Sequence, residues 1–170
     1  MKIKNIEFKA RVRDIDSLER KLLTLSPDYK GLDHQIDTYF NTTRGRLKLR
    51  EGNIENALIH YEREDTASRK QSDVILYKHN PDKALKDMLT IHLGVRAVVD
   101  KKRKIYFLGN VKFHFDEVKD LGTFVEAEAI DDAGQYSEEA LKEQCDKYFT
   151  FLGLAKADLI DVSYGDMIIE

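Results

Sequence analysis

The sequence has few residues that break or cross-link a chain. It contains one cysteine, Cys145, and two prolines, Pro27 and Pro81, among 170 residues. A single cysteine excludes an internal disulfide, and Cys145 lies in a predicted helix, where we interpret it as a small core residue. Because no low-complexity stretch or linker interrupts the chain, we predict one domain over residues 1–170.

Long apolar runs and a surplus of positive charge are also absent. The first residues, MKIKNIEFKARVR, contain no apolar run suited to a signal peptide or a membrane span, so we expect a cytoplasmic protein without a membrane partner. The 28 basic residues are outnumbered by 31 acidic ones, which argues against a nucleic-acid partner. Zinc-type Cys/His spacing, a Gly-rich phosphate loop and a G-x-S-x-G motif are missing too.

The sequence does contain several segments in which apolar and polar residues alternate. Over residues 3–12, Ile6, Phe8 and Ala10 fall on one face of a predicted strand, and Glu7 and Lys9 fall on the other. Further strands are predicted near 35–42, 46–52, 56–64, 73–79, 95–107, 111–118 and 123–130. The order of one strand, one helix and three strands therefore occurs twice.

Three helices are predicted between these strands. The first is capped by Asp16, has Glu19 in a capping box, and buries Leu18, Leu22 and Leu23. The second runs from Asn80-Pro81 to Gly94, and the third covers about 138–152, with Ser137 as its cap. Residues 158–169 are predicted to add a short strand or helix.

The polar faces of the strands carry charged residues in rows. These rows are Glu7 with Lys9; Lys48 with Arg50; Lys112, His114 and Asp116; and Glu126 with Glu128. The opposite faces are apolar, as at Leu47, Leu49, Phe113 and Phe115. An ordinary sheet with one wet face gives the same alternation. If the helices cover the apolar faces instead, about eight antiparallel strands close into a barrel with a charged lumen.

A charged lumen is costly unless its charges pair or bind a ligand. Facing rows of carboxylates and basic side chains suggest a polyanion, held by Lys and Arg together with a hard cation such as Mg²⁺ or Mn²⁺. His114 is either a proton relay or a structural histidine. Tyr39 and Tyr61 either line the tunnel or only pack against it.

Several blocks of the sequence resemble the CYTH superfamily, which includes class IV adenylyl cyclases, thiamine triphosphatases and inorganic triphosphatases. The segment Asn5-Ile-Glu7-Phe-Lys9 is similar to the Glu-x-Glu-x-Lys signature of that superfamily. The other similar blocks, in the order of the family, are 34–40, 45–50, 99–103, 116–128 and 161–166. The resemblance is nearest to the class IV cyclase branch. It implies an α+β fold, namely a closed eight-stranded antiparallel barrel, or triphosphate tunnel, with helices outside.

The resemblance also implies roles for individual residues. Glu7, Glu126 and Glu128 would bind the metal with help from Asp116, and Glu7, Lys9 and Asp116 would be catalytic. The implied phosphate-binding residues are Lys9, Lys48, Arg50, Arg63, Lys101, Arg103 and Lys112. A nucleoside or inorganic triphosphate is the implied partner, and a homodimer is a further expectation.

Three functions follow from the resemblance. The first is a cyclase that converts ATP to cyclic AMP and pyrophosphate, and the second is a triphosphatase. The third is a triphosphate- or polyphosphate-binding module without turnover. The third arises because Asn5 occupies the place of the first glutamate of the signature, and a neutral amide oxygen binds a metal more weakly than a carboxylate.

Overall fold

Eight antiparallel strands close into a barrel in the computed structural model, which describes residues 1–63 and 70–169 apart from the side chains of 63, 70 and 71. The order around the barrel is β1-β5-β4-β3-β2-β6-β7-β8, and β8 pairs with β1. The bounds are β1 Lys2–Arg11, β2 Asp28–Phe40, β3 Arg46–Glu51, β4 Asn56–Arg63, β5 Lys70–Lys78, β6 Val95–Leu108, β7 Val111–Val118 and β8 Gly122–Asp131. The predicted fold class is confirmed.

The barrel is built from two similar halves, as the sequence pattern predicted. The helix α1 (Ile15–Leu23) follows β1, and α2 (Lys83–Leu93) follows β5; three strands come after each helix. The first strands of the two halves pair with each other, and so do the second strands, β2 and β6. The two halves therefore interlock in the closed sheet: β5 of the second half lies between β1 and β4, and β1 of the first half lies between β8 and β5.

The helical elements differ in part from the prediction. They continue with α3 (Glu138–Phe151), a 3-10 turn (Lys156–Asp158) and α4 (Tyr164–Ile169). Asp14, not Asp16, caps α1 by accepting a hydrogen bond from the Ser17 backbone N–H at 3.1 Å. The capping box is wrong because Glu19 instead accepts hydrogen bonds from Lys104 and Tyr106 on β6. In the described ranges, no helix has the length and apolar character needed to cross a bilayer.

The main hydrophobic core lies outside the barrel, between the sheet and two helices. Ile6, Phe113 and Ala127 on the outer faces of β1, β7 and β8 pack against Leu22 of α1 and Leu141 of α3. Leu23 is exposed, contrary to the prediction, and α2 buries none of its described side chains. Helices therefore cover the strands at one side of the barrel, which turns their charged rows into the lumen.

The C-terminal segment crosses one end of the lumen. Ile160 donates its backbone N–H to the Lys9 carbonyl at 2.9 Å, and Leu159 bridges to Ala10 at the end of β1. Tyr164 is 3% exposed, and Gly165 lies so near the Tyr39 ring that an added Cβ would stand 3.0 Å from it. We call this the closed end, and we call the end where β1 and β4 begin the open end.

Candidate functional site

The barrel encloses a cavity of about 680 Å³, and the predicted phosphate-binding residues whose side chains are described line it. Its wall includes Lys9, Lys48, Arg50, Lys101, Arg103 and Lys112. The side chain of Arg63 lies outside the described residues. Lys101 and Arg103 face inward with Val99 and Ile105, whereas Lys102 between them is exposed. The basic side chains come from β1, β3, β6 and β7, so the closure of the barrel is what brings them together.

Asp37 is buried behind the cavity wall, where it pairs with three of the basic residues that line the cavity. Its carboxylate accepts from Arg50 Nε and Nη2 at 2.9 and 2.8 Å and from Lys101 Nζ at 2.6 Å, and Lys48 Nζ lies 3.4 Å away. Burial would raise the pKa of Asp37, but the charges of Arg50, Lys101 and Lys48 hold it well below its ordinary value. Burial lowers the pKa of Lys101 to about 7 even beside Asp37.

Asp116 stands behind Arg103 and is not among the residues that line the cavity. Arg103 donates to its two oxygens from Nε at 2.7 Å and from Nη2 at 2.6 Å, and the Tyr164 hydroxyl donates to it at 2.8 Å. Asp116 is fully buried. These contacts make it the group that orients Arg103 toward the cavity. Its roles in catalysis and metal binding stay predictions.

Glu7, Glu126 and Glu128 lie together on the neighbouring strands β1 and β8, and we call them the carboxylate wall. Glu7 is opposite Glu128 in the strand register, and Lys9 is opposite Glu126. Burial and the charges of Glu7 and Glu126 raise the pKa of Glu128. The pKa of Glu126 is held well below its usual value, because Lys9 and Arg103 outweigh the effect of burial. The two glutamates of β8 therefore differ in how well their charge is compensated.

Asn5 adds an amide to the same wall. Its Nδ2 donates a hydrogen bond to Glu128, and its Oδ1 is buried without a hydrogen-bond partner among the described residues. An acceptor oxygen in this state costs roughly 1–3 kcal/mol. The wall thus offers carboxylate oxygens of partly uncompensated charge beside one neutral carbonyl oxygen.

These donors suit a hard divalent cation in their chemistry, since Mg²⁺ and Mn²⁺ prefer oxygen ligands. A cation would relieve the repulsion between Glu7 and Glu128 and would satisfy the Asn5 oxygen. Over residues 1–63 and 70–169, no three His, Cys, Asp or Glu side chains already stand in a metal-binding arrangement. The donor types fit, and the carboxylates would have to converge on the cation when it binds.

His114 lies beside the wall with its Nδ1 3.4 Å from Glu126. Its Nε2 is buried and has no hydrogen-bond partner in the described part of the chain. Burial and the charge of Arg103 lower the pKa of His114 to about 4, so the ring is neutral near pH 7. Tyr39 and Tyr61 line the cavity, and Lys48 Nζ lies 5.5 Å from the centroid of each ring.

Sequence reasoning missed two acidic residues that pair with the basic side chains of the cavity, Asp37 and Glu55. Asp37 shares the inner face of β2 with Asp33, Gln35 and Tyr39, and the two-residue spacing of these polar residues was the signal that could have found it. Glu55 lies in the turn after β3 and forms ion pairs with Lys112 and Arg50. A turn residue has no periodic pattern, so no signal in the sequence points to Glu55.

Comparisons with known proteins agree with this geometry. The CYTH domain profile matches residues 4–164. The chain is 30% identical to adenylate cyclase CyaB of Aeromonas hydrophila, over 94% of this chain and 85% of that protein. The PH1012 protein of Pyrococcus horikoshii has a TM-score of 0.81 at 26% identity and covers 96% of this chain and 99% of its own.

A more distant structure shares the fold at low identity. HpAC1 from Hippeastrum, a proposed adenylyl cyclase with a dominant triphosphatase activity, has a TM-score of 0.66 at 12% identity, over 99% of this chain and 95% of that one. The profile match covers nearly the whole chain, and the closed barrel has its charged residues in the lumen. This chain belongs to the CYTH domain family.

Proposed function

We propose that this chain binds a triphosphate together with Mg²⁺ or Mn²⁺ inside the barrel and converts it, with ATP to cyclic AMP and pyrophosphate as the first reaction. The observation that carries the proposal is the convergence of basic side chains from four strands on one cavity, beside the carboxylate wall. The 30% identity to CyaB supports the cyclase reaction.

The charge balance of the cavity favours a metal-bound ligand. Each of the six predicted phosphate-binding residues in the cavity wall has a carboxylate partner: Glu126 for Lys9; Asp37 for Lys48, Arg50 and Lys101; Asp116 for Arg103; and Glu55 for Lys112. A bare triphosphate would therefore meet little surplus positive charge. A bound divalent cation would neutralise phosphate charge and act as a Lewis acid.

The residues of the chain would hold and orient the substrate. Arg50 and Arg103 are fixed by paired hydrogen bonds to Asp37 and Asp116, so their remaining N–H groups are preorganised for phosphate oxygens. In the cyclase reaction the 3′-hydroxyl of ATP would lose its proton to water, its oxygen would bond to the α-phosphorus, and the bond from that phosphorus to the departing pyrophosphate would break. Lysines along the cavity would stabilise the charge on the leaving group.

A triphosphatase is the second candidate, favoured by the structural likeness to HpAC1 and its dominant triphosphatase activity. Asn5 in the carboxylate wall leaves binding without turnover as the third candidate. The three differ in their products: cyclic AMP with pyrophosphate, a diphosphate with phosphate, or none.

The test is to incubate the protein with ATP or tripolyphosphate and Mg²⁺ or Mn²⁺ and to identify products by mass. Lys101→Met should lower turnover at least about tenfold, since it removes a charge-assisted phosphate contact. Lys102→Met is the matched control, because Lys102 is the next residue of β6 and faces outward. Turnover that Lys101→Met leaves intact would place the reaction elsewhere, and a lack of both product and binding would refute the proposed function.

A further inference from the structure

The turn between β3 and β4 places a carboxylate across the open end of the cavity. Glu55 forms ion pairs with Lys112 and with Arg50, whose Nη1 lies 3.4 Å away, and it accepts a hydrogen bond from Gln35 Nε2 at 3.0 Å. Both basic partners are among the proposed phosphate-binding residues. A carboxylate therefore occupies the position where phosphate oxygens would be bound.

The backbone of this turn is held by an extensive hydrogen-bond network. Buried Asp33 accepts from the backbone N–H groups of Ile54 and Glu55, both at 2.9 Å, and Asn56 bonds to both backbone polar groups of Gly52. A Cβ added to Gly52 would stand 2.6 Å from an oxygen of Asp33. The Glu55 backbone is thus fixed at the open end, and its side chain alone is left to move.

Glu55 differs from the other carboxylates that neutralise the basic residues. Its side chain is 28% exposed, against 1% for Asp37 and 0% for Asp116. Asp37 has three cationic partners, and Asp116 has a bidentate arginine and a tyrosine hydroxyl, so displacing either one would leave several buried groups uncompensated. Glu126, the remaining partner, is 10% exposed, so Glu55 is the most exposed of these carboxylates and the one for which turning toward water would cost least.

Electrostatics holds Glu55 in the ionised form that this exchange requires. Burial would raise the pKa of Glu55, but the nearby charges of Lys112 and Arg50 keep it well below its ordinary value. At neutral pH the side chain is an anion that competes directly with other anions for the same two donors.

We propose that Glu55 is an internal competitor for a phosphate subsite made by Lys112 and Arg50 at the open end, so that a triphosphate binds there by displacing its carboxylate. This inference rests on the proposed function, because it assumes that the cavity takes a triphosphate. Glu55 then sets the affinity of the subsite: a ligand must present enough negative charge to replace a carboxylate that is already in place.

The test is calorimetric titration of tripolyphosphate with Mn²⁺ into the unmodified protein and into Glu55→Gln. We expect Glu55→Gln to bind at least about tenfold more tightly, because Lys112 and Arg50 no longer have a competing anion. Glu51→Gln is the control. Glu51 ends β3, is 29% exposed, and pairs with Lys86 on the outside of the barrel at 3.1 Å. It changes the net charge equally and should leave affinity within about twofold.

Two further variants keep the test decisive. Adding Lys112→Met to Glu55→Gln should remove most of the gain in tripolyphosphate affinity. That result would show that the gain depends on Lys112. Glu55→Asp keeps the charge but shortens its reach, and it should bind about threefold more tightly, which provides a measurement if Glu55→Gln does not fold.

The outcomes separate this inference from the proposed function. If the unmodified protein binds tripolyphosphate and the Glu55 variants bind it equally or more weakly, the competitor role is wrong, and Glu55 supports the ligand or the metal instead. If neither the unmodified protein nor any Glu55 variant binds tripolyphosphate with Mn²⁺, the proposed function fails and the inference fails with it.

Discussion

On the β2–β3–β6 side of the cavity, buried Asp37 is shared by Arg50, Lys101 and Lys48, whereas on the β1–β8 side Glu128 faces Glu7 and hydrogen-bonds to the Asn5 amide. On the first side three basic groups surround one carboxylate and hold its pKa low, whereas on the second side burial and the neighbouring charges of Glu7 and Glu126 raise the pKa of Glu128. The cavity therefore separates a region suited to phosphate from a region suited to a cation, within one barrel.

Removal of the carboxylate on the phosphate side should have the largest effect. Asp37→Asn should lower the free energy of unfolding of the ligand-free protein by about 3–5 kcal/mol, because buried cations lose their shared partner. Urea unfolding measures this value. Asp100→Asn is the control, since Asp100 is 39% exposed and pairs with exposed His34, and its effect should stay below about 1 kcal/mol. An equal loss in both variants would contradict the central role of Asp37.

The second prediction sets Glu126 against Glu128, two residues apart on β8. Glu126 lies 3.4 Å from both Arg103 and His114 and 3.9 Å from Lys9, so Glu126→Gln should lower ligand-free stability by roughly 1–3 kcal/mol. Glu128→Gln removes repulsion with Glu7 and should leave the ligand-free protein equally stable or more stable.

Both variants should bind Mn²⁺ more weakly, since each loses an anionic oxygen from the carboxylate wall. Thermal unfolding measures the stability of each variant, and titration measures the Mn²⁺ affinity of each. Mn²⁺ affinities equal to that of the unmodified protein would show that the cation binds elsewhere. Stability changes of the same sign would show that the charge around the two glutamates is not as different as the geometry indicates.

Much of this division could be predicted from sequence because it depends on two-residue periodicity. Glu7, Lys48, Glu126 and their row partners alternate with apolar residues. Once the apolar face of a strand packs against the helices, its charged face must point into the barrel. The periodicity fails on β6, where both faces mix basic and apolar residues: Val99 and Lys101 point inward, and Val98 and Lys102 point outward. There the direction of Lys101 follows only from pairing with β2 and β7.

Other parts of the site had no local signal. Asp14, not Asp16, caps α1, and Glu19 forms no capping box because its carboxylate bonds to Lys104 and Tyr106 on β6. A capping box is predicted from neighbours in sequence alone, so these distant partners could not be foreseen. Glu55 becomes a cavity residue through a turn pinned by Asp33, a contact between residues 22 positions apart. Such placements depend on closure of the barrel and cannot be deduced from spacing.

On the cation side, Asn5 should limit the affinity for the metal. Asn5→Glu places another carboxylate beside Glu7 and Glu128 and removes the amide donor, so the ligand-free protein should lose about 1–2 kcal/mol of stability. Mn²⁺ should bind about tenfold more tightly, because an anionic oxygen replaces a neutral one. Asn5→Asp, with a shorter side chain, should show the same signs with smaller sizes. Unchanged Mn²⁺ affinity in both variants would remove Asn5 from the metal environment.

The smallest expected effect concerns the protonation of Lys101 on the phosphate side. Burial lowers the pKa of Lys101 to about 7 in the ligand-free protein, so the side chain is mostly neutral at pH 8. A bound triphosphate favours the charged ammonium and raises this pKa, so binding at pH 8 takes up a proton. Affinity should fall as pH rises from 7 toward the raised pKa of the complex, by at most about tenfold per pH unit.

The measurement is calorimetric titration of tripolyphosphate with Mn²⁺ at pH 8, in two buffers with different heats of ionisation. The difference between the buffers gives the number of protons taken up, and we expect a fraction of one proton beyond that of Lys101→Met. Lys101→Met is the control, because it removes this titrating group while proton exchange by the ligand itself remains. Equal proton uptake in the two proteins would show that Lys101 is charged before the ligand arrives. Asp37 would then compensate its charge fully, and the phosphate side would be preorganised without any change in protonation.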